Sequence, residues 1–398
     1  MQPRTFTLNF IGDVMLGRLI DQLLPPPATT KTHNPNATTD PDTFKKASNF
    51  IASYPALKSY SYSSPWGTTL PLLQRGSEMN LNLLNLETAV TDSSTRWPDK
   101  AFNFRMHPVN IPVLLEGGAD YVNLANNHVL DFGVTGLRDT LRAVGSVGVE
   151  YSGVAIEKGQ EVLPAVLHLP RSAAADGKDG HTVHVYSASD HPREWGSVSG
   201  VGFHLIDYSA STRKRLRTLL SPNHTTTSDT SDTNNKTEKP ALRIFSIHWG
   251  PNYTWHPHGE IKSLAHFLVD ECGIDIVHGH SAHHVQGVEA RNGKLILYGC
   301  GDFVDDYRLN REFRNDLSAV WRVSVRESPG GVAGAGDQLK LDKLEIFPTR
   351  VQGFSAILLG KEDKDHKWVR EKVTELSREM ETVVRGELGD EGQLIVDL

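Results

Sequence analysis

"GADYVNLANNHVLDFG" occupies residues 118–133, and "TGLRDTLRAVGSVG" follows at 135–148. The first run is strand-like up to Leu124 and Ala125 and then breaks into a polar turn. The second places Leu137, Leu141 and Val144 at helical spacing. A strand that ends in a polar turn and feeds a helix is the repeating unit of an α/β fold. The same grammar recurs on both sides. "TFTLNFIG" (5–12) and "EMNLNLLNLETAV" (78–90) read as strands upstream. Downstream, "VHVYSAS" (183–189), "ALRIFSIHWG" (241–250), "DIVHG" (275–279) and "KLILYGCGDF" (294–303) read the same way, with a helix over "EIKSLAHFLVDECG" (260–273). "SAVWRVSV" (318–325) and "LKLDKLEIFPTRV" (339–351) are further strands, and Val369, Val373, Leu376 and Met380 mark an amphipathic helix over about 367–384. No fixed-period repeat is present.

Two stretches follow other rules. Residues 25–65 carry clusters of Pro, Thr, Asn and Ser and are expected to form a loop insertion with one short helix at 43–53. Residues 221–240, "SPNHTTTSDTSDTNNKTEKP", hold almost no apolar side chain and cannot bury enough surface to order themselves, so a disordered surface loop is expected. The expected organisation is one domain over 1–360 carrying both features, with 361–398 as a C-terminal helix packing on it or flanking it.

Composition narrows the function classes. In 398 residues, 38% are hydrophobic and 22% charged, which fits a globular protein. A net charge of −7 with no basic run argues against a nucleic-acid partner, because phosphate binding needs a concentrated basic face. No window approaches the ~20 apolar residues of a membrane span. The opening segment reads as a strand and not as a secretory signal. Cys272 and Cys300 are the only cysteines, which excludes a disulfide framework and fits a reducing, cytoplasmic location.

Five polar clusters each follow a strand-like run: Asp13 in "GDVM", Asn85 and Glu87 in "NLET", Asn126, Asn127 and His128 in "NNH", His248 in "HWG", and His280, His283 and His284 in "GHSAHH". Residues just past the carboxyl ends of strands point into the crevice where α/β sheets bind ligands. Carboxylate, amide and imidazole donors gathered there suit Mn, Fe, Zn or Mg. Each cluster alone has a plainer reading as turn, helix start or core histidine; their joint occurrence in order is what points to a metal centre. Arg308, Arg311 and Arg314 in 303–316 read either as binders of an anionic substrate or as solvated charges.

That ordered set, "GDVMLGR", "NLET", "LANNHVLDFG...GLRDTL", "HWG", "GHSAHHVQGVE" and "LILYGCGDFVDD", resembles the CapA-like (PGA_cap) poly-γ-glutamate capsule-synthesis family, related to the calcineurin-like metallophosphoesterases. The resemblance spans residues 10 to about 306. It implies a four-layer α/β/β/α sandwich and a centre holding one or two divalent ions. It further implies Asp13 as ligand to one metal, Glu87 as a bridge, Asn127 and His248 on the second metal, and His280 and His283 completing the shells. His128 would be the catalytic histidine outside the metal shell. Departures stand beside this. The first strand has Asp13-Val14-Met15 where Asp-X-His is usual, and Glu87 stands where the wider superfamily has Asp. The last histidines are one residue further apart than in Gly-His-X-His, and Asp302 stands where Asn is common.

The expected activity is metal-dependent hydrolysis of a phosphoester or of an amide or γ-glutamyl bond by a metal-activated hydroxide, on a small anionic or peptide-like substrate. The alternatives are a non-catalytic component of poly-γ-glutamate synthesis or export, and a metal-dependent biosynthetic enzyme for a small molecule.

Overall fold

The alternation of side chains along the first strand divides the molecule into layers. The computed structural model describes residues 4–25, 41–74, 79–156, 162–170, 180–221, 240–328 and 339–398. Phe6, Leu8 and Phe10 belong to one buried cluster, while Ile11 and Val14 face another. Strand β1 (Thr5–Val14) is followed by β2 (Asn80–Leu86), β3 (Tyr121–Asn123) and β4 (Glu150–Ser152), all parallel in one sheet. The chain then builds a second sheet from β5 (Ala165–Leu169), β6 (His181–Ser189), β7 (Leu242–His248), β8 (Ile276–His280), β9 (Val288–Arg291) and β10 (Lys294–Leu297). Its order is β9-β10-β8-β7-β6-β5, parallel in the middle and antiparallel at both edges. Returning to the first sheet, β11 (Asp302–Val304) lies parallel to β1. β12 (Leu317–Glu327), β13 (Leu339–Gln352), β14 (Ser355–Leu358) and β15 (Leu394–Asp397) extend that sheet antiparallel.

Three apolar clusters hold these sheets. One joins Phe6, Leu8, Phe10, Leu83 and Tyr121 of the first sheet to Val183, Val185, Leu242, Ile244 and Ile276 of the second. Another packs Leu84, Leu86 and Val122 against Leu137 and Val144 of the helix Gly133–Ser146. The third packs Phe245, Ile247 and Val277 against Leu264 and Leu268 of the helix Gly259–Asp270 and Leu216 of the helix Ala210–Leu219. Each such side chain, fully withdrawn from water, contributes roughly 1.5–3 kcal/mol. The architecture is therefore mixed α/β, as expected. No helix among the described residues is long and apolar enough to cross a membrane. Cys272 and Cys300 are both free and buried.

Where elements differ from expectation, tertiary contacts account for it. Residues 26–40 of the insertion, and 222–239 of the polar segment, lie outside the described residues. The rest of the insertion forms the helix Pro41–Ser53, as anticipated, and then enters the core: Trp66 is fully buried and its indole N–H donates to the Val113 carbonyl at 2.8 Å. The C-terminal helix runs Lys364–Arg378 and stops short of 384, with Glu381 in left-handed conformation at φ +57°. The chain then adds β15 to the edge of β13, so 361–398 contributes a strand as well as a helix.

Register brings the strand ends together. Asp13 lies opposite both Asn85 and Asp302, Asn85 opposite Asn123, and His248 opposite His280 and Ser189. Contacts between the sheets close the gap: the Ser281 N–H donates to Asp13 at 3.2 Å, and His278 Nε2 meets the Ile11 carbonyl at 3.1 Å.

Candidate metal centre

Asp13 is the hub. It sits at the end of β1 where the strand bulges, and its backbone N–H donates to the Gly301 carbonyl at 3.0 Å. Gly12 makes this approach possible, because a Cβ there would stand 1.9 Å from the Gly301 oxygen. The carboxylate is oriented by Asn85, whose Nδ2 donates to Oδ1 at 2.7 Å. Asn85 is itself fixed by Asn123 and Asn126, which donate to its Oδ1 at 2.8 and 3.0 Å. Three amides from two successive strand ends thus aim one carboxylate.

Two sets of donors surround it, each with atoms within 4.8 Å of one another: Asp13, His248 and His280, and Asp13, Glu87, His283 and Asp302. All six residues are buried. His248 Nδ1 and His280 Nδ1 are 3.0 Å apart, and His280 Nδ1 is 3.9 Å from Asp13 Oδ1. In the second set, His283 Nδ1 lies 2.7 Å from Asp302 and 3.6 Å from Asp13, and its Nε2 lies 4.0 Å from Glu87. Asp13 belongs to both sets and Glu87 to one. Five of the six residues expected as ligands, Asp13, Glu87, His248, His280 and His283, fall in these sets together with Asp302, and Asn127 falls in neither.

Several donor atoms have no partner. Both Glu87 oxygens, Asp302 Oδ2, His248 Nε2 and the Asn127 amide oxygen are buried without a hydrogen bond. Leaving such groups unmet costs about 1–3 kcal/mol each, more when charged, so this donor chemistry fits a cation-binding site better than a polar core. Titration leans the same way. Burial pushes the Glu87 carboxyl well above its usual range, and the charge of Asp13 adds to this. Burial also raises Asp302, with Asp305 adding, and raises Asp13. It holds the His248 and His280 imidazoles well below their usual range. Three carboxylates with one imidazole make a hard, oxygen-rich set, and one carboxylate with two imidazoles a softer one; both fit a divalent cation.

The other expected residues stand around this core. His128 Nδ1 is 2.6 Å from Asp131 Oδ2, and its Nε2 faces Glu87 Oε1 at 3.7 Å. Burial lowers its pKa to about 4 despite the opposing pull of Asp131. Lys100 binds the Asp131 carboxylate and the Asn127 carbonyl. Asn127 borders a cavity of about 630 Å³ shared with Asp190, His191 and Gly250. His278 bonds to Ser246 and the Ile11 carbonyl, and His284 packs among Trp255 and Phe313, so neither joins a donor set. Ser281 and His283 take positive φ, +97° and +62°, which is how a loop one residue longer turns His283 inward. Arg314 forks onto Asp316 and reaches Asp365, whereas Arg308 and Arg311 are exposed.

Sequence reading missed Asp190–His191, a sixth polar cluster just past the end of β6. Asp190 pairs with His191 Nδ1 and is anchored by the Tyr208 hydroxyl at 2.6 Å and the Gly250 N–H at 2.8 Å. The His191 ring lies 5.1 Å from that of His248. The strand-end rule that found the other five would have found it, had "VHVYSAS" been read three residues further.

Comparison with known proteins adds an independent line. A family model described as bacterial capsule synthesis protein PGA_cap matches residues 7–307, a span that holds both donor sets. A probable polyglutamine synthesis accessory protein of Mycobacterium tuberculosis is 31% identical over 383 residues, covering 94% of this chain and 92% of that protein. The PGA biosynthesis protein CapA of Bacillus subtilis is 23% identical over 299 residues, covering 75% of this chain and 63% of its own length. The capsule biosynthesis protein CapA of Bacillus anthracis is 26% identical over 298 residues, 69% of this chain and 65% of its own.

Proposed function

The chain belongs to the bacterial capsule synthesis protein PGA_cap family, and from that footing we propose that it is a metal-dependent hydrolase. Its substrate is an amide of the γ-glutamyl kind or, by the same site chemistry, a phosphoester. The fold that carries it is read as a metallophosphoesterase-type α/β/β/α sandwich, supported by the three apolar clusters that separate and flank two sheets. The observation that carries the activity is Glu87, a fully buried carboxylate with neither oxygen hydrogen-bonded, set among Asp13, Asp302 and His283.

Asp13, Glu87, His283 and Asp302 would hold one cation, and Asp13, His248 and His280 a second, to which the family resemblance adds Asn127. When bound, a divalent cation supplies Lewis acidity, acidifying water and polarising a substrate oxygen. The chain's own part centres on His128. Asp131 takes its Nδ1–H, which leaves the Nε2 lone pair turned toward Glu87 and the site. Burial keeps that ring neutral near pH 7, so Nε2 can accept a proton from the attacking group and return it to the leaving oxygen or nitrogen. Lys100 binds the other Asp131 oxygen with its Nζ 3.2 Å from His128 Nδ1, and the Phe104 N–H donates to the same carboxylate at 2.6 Å.

A second reading is favoured by one finding: a relative covering nearly the whole chain is named an accessory protein. In that case the site would be structural or regulatory within a synthesis assembly. The test combines metal analysis of the purified protein with a panel of phosphoesters and γ-glutamyl peptides assayed with Mn, Zn and Fe. The hydrolase reading expects at least one transition metal per chain, and His128→Ala should keep the metal while losing turnover by roughly 10²–10⁴-fold. Full activity in metal-free protein would sink it. Bound metal with no turnover on any probe would favour the accessory reading.

A further inference from the structure

Arg18 stands beside the site, and the chemistry above gives it no task. Its backbone takes φ +52°, a left-handed conformation in which residues with side chains are uncommon and which tends to occur at functional sites. The guanidinium is clamped along one edge. Nε donates to Asp306 Oδ2 at 3.2 Å, Nη2 lies 2.7 Å from Oδ1, and Nη2 also reaches the Asp306 carbonyl at 3.3 Å. The Leu19 N–H holds Asp306 Oδ2 at 3.0 Å, so the clamp is tied to the backbone of the same segment. Nη1 takes part in none of these contacts. The Asp306 side chain is fully covered, while the Arg18 side chain remains 31% exposed.

Two rings connect this guanidinium to the centre. It lies 5.0 Å from the centroid of Phe104 and 5.9 Å from that of Tyr307. Phe104 stacks on His128 at 4.1 Å, and Tyr307 meets His283 edge-on at 5.4 Å. Arg18 is thus one ring away from both the proton-handling histidine and a ligand histidine. Asp13, Glu87, Asp302 and Asp305 are all buried nearby, and Lys100, the other cation close to His128, is committed to Asp131. A substrate anion at the rim, beyond the reach of any cation those carboxylates would hold, therefore needs its own positive partner. Arginine keeps its charge at any working pH and recognises oxyanions by directed N–H donors.

We propose that Arg18 binds a carboxylate of the substrate at the rim of the centre, through the edge that Asp306 leaves open. It thereby selects substrates carrying a negative charge one residue-length from the reacting bond; on a γ-glutamyl substrate that group is the α-carboxylate. The identity of the reacting bond rests on the hydrolase reading, but the carboxylate contact does not.

Two measurements separate the ideas. The first compares γ-glutamyl-p-nitroanilide with its α-carboxamide counterpart, using metal-loaded wild type, Arg18→Gln and Arg18→Lys. Arg18→Gln should raise KM for the carboxylate probe at least tenfold, leave KM for the carboxamide unchanged, and keep metal content at the wild-type level. Arg18→Lys, which retains charge but loses the fork, should fall between. The second is calorimetric titration with γ-glutamylglutamate, which needs no turnover. Wild type should bind at least tenfold more tightly than Arg18→Gln, and the same dipeptide with its γ-glutamyl α-carboxylate amidated should show no such difference. If wild type turns over neither probe yet the binding difference appears, the γ-glutamyl hydrolase reading fails and the Arg18 contact stands. Equal binding by wild type and Arg18→Gln, or no binding by either, overturns the contact whatever the kinetics show. Should Arg18→Gln melt well below wild type, Asp306→Asn, which loosens the clamp and keeps the guanidinium, must weaken binding in its place, and unchanged binding there overturns the contact too.

Discussion

Glu87 is the residue whose energetics depend most on a bound cation. Without one it is an acid forced into a dry site beside two other carboxyls, and burial raises its pKa well above the usual carboxylate range, so ionising it there costs stability. With one it becomes a ligand, and the same burial strengthens its attraction. Glu87→Gln should therefore act in opposite directions on the two states. In the presence of a chelator the variant should melt higher, by the equivalent of about 1–3 kcal/mol, since the amide has no charge to desolvate at any pH and can donate to the neighbouring carboxylates. Metal content after purification should fall. Thermal melting with and without EDTA, together with metal analysis, reads both effects; a chelated variant that melts lower would mean that Glu87 is already satisfied in the bare protein. At this scale the sequence was informative where chemistry is concentrated. Asp13, Glu87, His128, His248, His280 and His283 stand out as candidates from residue type and position after a strand, while their separate roles come from the family resemblance. Asp131 and Lys100 were not, because an aspartate in a turn and a lysine in a loop look the same whether or not a histidine lies between them.

At the scale of elements, the site exists because strand ends are staggered to meet. Gly12 allows β1 to bulge against the Gly301 carbonyl, which sets Asp13 beside Asp302. Gly12→Ala would place a methyl group 1.9 Å from that oxygen. The backbone at 300–302 is buried and leads straight into β11, so it cannot move aside freely and the variant should lose roughly 1–3 kcal/mol or more of stability. It should also lose metal, because the two carboxylates are pushed apart. Denaturant unfolding and metal content measure the two losses, and a stable variant with full metal would show that the bulge is incidental to the centre. Strand ends were the readable part of this layer, since an apolar run followed by polar residues is a local signal. What the sequence could not reveal were long-range pairings. β11 returns to lie beside β1 across some 290 positions, and β15 joins β13 after a helix that had seemed to end the fold. Asp302 could be placed in the site only once that return was known.

For the whole molecule, packing two sheets face to face seals the donor groups from water, and this makes stability depend on pH in a way that a bound cation should reverse. Glu87, Asp13 and Asp302 have folded-state pKa values above their ordinary 4.5 and 3.8. The chelated folded protein therefore keeps protons that the unfolded chain has released, and stability falls as pH rises from the unfolded values through the folded ones. The buried histidines act oppositely. His128 and His284 are held at about 4 and His278 at about 3, with His248 and His280 well below 6.5. These rings are neutral in the folded state while the unfolded chain still binds protons, so they add stability as pH climbs to 6.5 and nothing further above it. Below 6.5 the two effects oppose each other; above it only the carboxyls remain. Above pH 6.5 the melting temperature of the chelated protein should thus not rise further, and it should decline as these buried carboxyls ionise. Cation binding needs ionised carboxylates and unprotonated imidazoles, so affinity rises over the same interval. Because a ligand that binds only the folded state stabilises it by its mass-action term, melting of the manganese-loaded protein should hold or rise while the chelated curve drops, and the gap should widen with pH. Parallel curves would mean that these carboxyls ionise freely in the bare protein and that no proton-linked cation site is formed by the two sheets.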